Sequence, residues 1–161
     1  MKQKKITVDG QEHNLSNATI DDTVTGWFKI ESQQWHSTIH LHIGGIEKLV
    51  DSGRTRFKDD PEMLAVVKQF AEETDDLANA AVRVSDRNNF IMRINSYRPC
   101  LIDDMLTLSH ESLHVAQILL YKVGAEINPA GSETLAYTHQ FILGRLISEI
   151  LKGDCNERKG C

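Results

Sequence analysis

The chain has 161 residues, 40% of them hydrophobic and 25% charged, with a formal charge of −5. That length suits one domain with a respectable core. The negative balance argues against nucleic acid, whose phosphates are met by a clustered basic face. No apolar run approaches the roughly 18 residues a membrane span needs, and no secretory signal follows the basic start, so a cytoplasmic protein is expected.

Residues 4–8 alternate like a strand, and Asp9-Gly10 is a hairpin turn before a second strand at 11–15. A second pair, 23–31 and 35–43, is rich in β-branched and aromatic residues. Ser32-Gln33-Gln34 connects this pair and Gly44-Gly45 ends it. Residues 1–50 are therefore read as mainly β, an antiparallel sheet. Strand alternation places His36, His40 and His42 on one face. That face is either a His-x-His metal pair or the polar side of a half-buried strand, whose other side carries Trp35, Ile39, Leu41 and Ile43.

Asp59-Asp60-Pro61-Glu62 is a helix start: a capping aspartate, proline at the first helical position and acid in the first turn. Met63, Val66, Val67, Phe70, Leu77 and Ala81 recur at helical spacing and predict a backing helix over 59–82. Its acidic side (Glu72, Glu73, Asp75, Asp76) reads as a solvated face. Asn88-Asn89 breaks the pattern, and a strand follows at 90–95, closed by Pro99; it is expected to offer an edge to an extended peptide.

Residues 101–123 carry two stripes. The apolar one is Ile102, Met105, Leu106, Leu113, Ala116, Leu120 and Val123. The polar one is Asp103, Thr107, His110, His114, Gln117 and Tyr121, read as the floor of a cleft because it lacks lysine and arginine. His110 and His114, four residues apart on one helix face, are spaced to grip one metal ion, and Glu111 beside them can reach a water on that ion. Gly124 is a left-handed helix terminator. Asn128-Pro129 turns the chain, and a helix opens at Ser132 with Glu133 in its first turn, running to about Leu151. Its stripe of Glu133, Tyr137, Gln140 and Gly144 is expected to line the same site, and residues 153–161 form a tail. The cysteines, Cys100, Cys155 and Cys161, form no Cys-x-x-Cys pair, so no thiolate metal site is expected.

His-Glu-x-x-His on one helix and a glutamate near the start of the next resemble the gluzincin branch of zinc metallopeptidases. Small single-domain members of bacteria and their phages are the nearest in size, and the resemblance covers roughly residues 88–150. It implies His110, His114 and Glu133 as zinc ligands and Glu111 as general base, with zinc activating a water that attacks a peptide bond. Tyr137 is the first candidate for oxyanion stabiliser and His139 the second. Gluzincins often carry an acid where this chain has Tyr137, which leaves Asp103 or Thr107 to orient the ligand histidines. The expected molecule is an α+β, minimal zincin-like domain acting on a peptide or protein substrate. The alternative is a zinc-binding regulatory or interaction protein that keeps the fold without turnover.

Overall fold

The computed structural model describes residues 4–8, 11–15, 23–72, 79–99, 101–125 and 131–157. Strands β1 (Lys4–Val8) and β2 (Gln11–Leu15) pair as a separate antiparallel ribbon. Their register leaves Asp9-Gly10 as the two-residue connection, itself outside the described residues. The same holds for Asn128-Pro129, Cys100, the acids Glu73, Asp75 and Asp76, and the side chains of the 153–161 tail.

A four-stranded mixed sheet organises the rest, in the order β3-β4-β6-β5. β3 (Gly26–Ser32) and β4 (Ser37–Ile43) form the expected hairpin, with His36 at its tight end in the left-handed region (φ 46). β4 then pairs in parallel with β6 (Phe90–Ile94), and β5 (Ala80–Val84) pairs antiparallel with β6. Two expectations change here. The strand at 90–95 is internal, held on both sides, so the free edge at this end of the sheet belongs to β5. The backing helix α2 (Pro61–Glu72) is shorter than its pattern suggests, because Ala80 and Ala81 belong to β5. Both side chains are small enough for either state, and pairing with β6 decides.

The start of α2 is as expected: Asp60 Oδ1 accepts from the Met63 amide at 3.1 Å, with Pro61 between them. The preceding helix, α1 (Ile46–Arg56), has no counterpart in the sequence reading. It buries only Leu49 and Gly53 and has no side-chain cap at its start, so its signals reduce to Glu47 in the first turn and Arg54 and Arg56 in the last. Its closeness to α2 explains Gly53. A β-carbon there would stand 2.9 Å from a Val67 methyl.

The sheet is covered on both faces. Phe28, Ile30, Ile39, Leu41, Ile43, Phe90, Met92 and Ile94 point to one side, against α3 (Ile102–Lys122) and α4 (Ser132–Glu157). Ile91 points to the other and joins Leu49, Phe57, Met63, Val66, Val67 and Phe70 beneath α1 and α2. His40 and His42 lie on this second side and are buried. His40 stands edge-on to Phe57 at 4.9 Å, and His42 lies 4.7 Å from the Trp27 ring. Their face of β4 is therefore covered, where a solvated strand face was one expectation. Trp35 sits in the hairpin turn and packs on Phe141 of α4.

Candidate metal centre on helix α3

Helix α3 begins where Asp104 accepts from the Arg98 amide (2.8 Å) and guanidinium (3.1 Å), which ties it to the exit of β6. It ends in a Schellman motif around Gly124 (φ 71): the Gly124 amide donates to Tyr121 and the Ala125 amide to Leu120. Between these ends it packs on β5, β6 and α4 at once. Its buried residues are Leu108, Glu111, Ser112, Val115, Ala116, Leu119 and Leu120. This face lies roughly a quarter turn away from the apolar stripe read from sequence. Ile102 (76% exposed), Leu106 (62%) and Val123 (60%) face water. Apolar residues cover more of the helix than the one stripe, and the sheet takes the face with Leu108, Val115 and Leu119.

The shift sets the site. His110 and His114 are exposed, their Nε2 atoms 3.0 Å apart and their rings perpendicular with centroids 4.6 Å apart. Two nitrogens bound to one tetrahedral zinc at about 2.0–2.1 Å stand roughly 3.3 Å apart, so this spacing suits a shared ion with little side-chain movement. Glu111, one residue on, turns inward and is 7% exposed. Burial raises its pKa above the usual carboxylate value, opposed by His114, His110 and Arg83 of β5. Among the described residues its carboxylate accepts no hydrogen bond and forms no ion pair, so it can hold a proton and release it beside the histidines.

The remaining predicted residues stand elsewhere. Ser109 meets α4, where its carbonyl oxygen lies 3.0 Å from His139 Nε2 and its hydroxyl 3.3 Å from the same atom. At about 100° per residue, His110 and His114 are turned well away from that contact and from the buried face of α3. Glu133 is exposed on α4. Tyr137, 67% exposed, lies one turn before Phe141, on the side of α4 that meets Trp35. Among the described residues no three His, Cys, Asp or Glu side chains stand close enough to share an ion. His139 holds α3 to α4 through Ser109 and is not directed at the histidine pair. Thr107 donates to the Asp103 backbone carbonyl oxygen (2.9 Å) within α3, and among the described residues neither side chain is hydrogen-bonded to His110 or His114.

Arg83 was not found from sequence as a neighbour of Glu111. Its strand was read as the end of a helix, and only the β5–β6 pairing brings it beneath α3. No family model, no curated protein and no solved structure matches this chain.

Proposed function

We propose that this protein is a zinc-dependent hydrolase of the metallopeptidase type, working on the exposed face of α3. The observation that carries the reading is the 3.0 Å separation of the His110 and His114 Nε2 atoms, with Glu111 adjacent and buried. Zinc at such a pair supplies Lewis-acid polarisation and lowers the pKa of water to about 7. Glu111 is the proton carrier in this reading: desolvation raises its proton affinity, which suits a group that takes a proton and later hands it to a leaving amine. The β5 edge, packed beside α3, gives an extended peptide backbone a strand to pair with.

Catalytic zinc ordinarily has three protein ligands, and the gluzincin resemblance nominates Glu133. Its solvent-facing position on α4 supports a second reading, a zinc-binding interaction protein without turnover. Two variants, Glu133→Gln and Glu111→Gln, separate the two readings. His110→Ala and His114→Ala are expected to lower zinc affinity by about 100-fold or more under either reading, measured by competition with a chromogenic chelator. Under the peptidase reading, Glu133→Gln lowers that affinity at least about tenfold, and Glu111→Gln keeps zinc while abolishing cleavage of a diverse peptide library. Unchanged zinc affinity in Glu133→Gln, with no cleavage by the unaltered protein, would establish the binding reading. Failure of the unaltered protein to take up zinc would overturn both.

A further inference from the structure

The other side of the sheet carries a second polar site that the α3 chemistry does not use. The β3–β4 register sets Lys29 opposite His40, and α1 hands over to α2 directly above them. A cavity of about 360 Å³ lies there, whose polar lining includes Lys29, His40, Arg56, Asp59, Asp60 and Asn89. That is near the lower end of small-ligand sites, which hold about 300–1,000 Å³.

Three of its polar groups have no protein partner among the described residues. His40 is 8% exposed, yet its Nδ1 makes no hydrogen bond. Buried imidazole nitrogens are ordinarily satisfied, so an unpartnered one in a cavity wall points to a ligand. The Arg56 guanidinium lies over the rings of Trp27 (5.4 Å) and Phe57 (5.9 Å), which position it, and no carboxylate pairs with it. Asn89 uses its Oδ1 to accept from the Thr38 amide (3.1 Å), which leaves its NH2 group free to donate. Against these stands Asp60, whose Oδ1 caps α2 and whose other oxygen remains available.

The guanidinium, imidazole and amide donor of this lining suit an anion with two acceptor oxygens. The carboxylates of Asp59 and Asp60 in the same lining repel a dianion such as phosphate and favour an N–H beside the anion. We propose that this cavity binds the carboxylate of an amino acid or of a peptide C-terminus, with Arg56, His40 and Asn89 on the carboxylate and Asp60 on the neighbouring N–H. The site is independent of the zinc reading, because α3 lies across the sheet from it.

The test is a titration of the full-length protein followed by ¹⁵N and side-chain amide NMR signals. The probes are alanine, N-acetyl-dialanine, N-acetyl-dialanine amide and inorganic phosphate. The expected result is saturable shifts of the Asn89 side-chain NH2 and the Lys29 amide with alanine or N-acetyl-dialanine. A response to alanine alone assigns the free amino acid; a response to N-acetyl-dialanine, the peptide terminus. Arg56→Gln, at an exposed position, is expected to weaken binding at least tenfold. Asn89→Asp, which keeps the Thr38 contact and adds a repelling charge, is expected to abolish it. No shift with either carboxylate, equal binding of the amidated dipeptide or of phosphate, or undiminished binding in both variants would overturn the assignment.

Discussion

Burying the Glu111 carboxylate costs the fold free energy that a neutral side chain of the same shape would not. The side chain is 7% exposed and has no protein partner among the described residues, so its charged form is the destabilised one at neutral pH. Glu111→Gln, which abolishes cleavage under the proposed peptidase reading, is therefore expected to stabilise the protein, by on the order of 1 kcal/mol or about 2–4 °C in Tm at pH 7.5. Calorimetry of the zinc-free variant checks this, and a lower Tm would show that the carboxylate has a partner in solution. His110 and His114 carry no such burden, since both face water. The pattern of these three residues was visible in the sequence. Which of them would be buried was not, because helical periodicity gave α3 more than one plausible apolar face.

The faces of α3 make a direct test at the level of elements. Leu108 is fully buried against the sheet, whereas Leu106 is 62% exposed. Leu108→Ala is expected to cost about 2–4 kcal/mol and Leu106→Ala less than about 0.5 kcal/mol in urea unfolding. The opposite order would restore the face read from sequence. The α1–α2 contact provides a second test. Alanine at position 53 favours a helix by about 1 kcal/mol over glycine. Its β-carbon, however, would meet Val67 methyls at 2.9 and 3.2 Å with Trp27 at 3.7 Å behind, and valine is stiff. The clash is expected to win, and Gly53→Ala to destabilise by about 1–2 kcal/mol. A stabilised variant would mean that the two helices can separate without loss. Glycine there marks a close approach that only the position of Val67 reveals.

At the scale of the molecule, the two covered faces of the sheet set the acid stability. Burial holds His40 and His42 at a pKa of about 4, helped by Arg56 and Lys29 at the first and by Arg93 and Lys48 at the second. Unfolded histidine titrates near 6.5, so between pH 6.5 and about 4 the unfolded chain binds protons that the folded one refuses. The contribution is complete above pH 6.5 and is lost as pH falls towards 4, by at most on the order of 2–3 kcal/mol for each histidine. Urea unfolding at pH 7, 5.5 and 4.5 measures the loss, and a His40→Gln, His42→Gln variant is expected to flatten the profile. An equally steep profile in that variant would place the acid sensitivity elsewhere.

Local chemistry was enough to read the hairpin of β3 and β4, the Asp60-Pro61 start of α2, the Gly124 end of α3 and the His-Glu-x-x-His spacing. Each depends on residues within about one turn or one strand pair of one another, so the sequence by itself determined them. Tertiary structure alone decided that Ala80 and Ala81 pair with β6, that α1 forms against α2, and that α3 turns Glu111 inward while leaving His110 and His114 exposed. Those outcomes rest on contacts between residues distant in the chain, where burial against a partner outweighs the small local differences between competing faces and states.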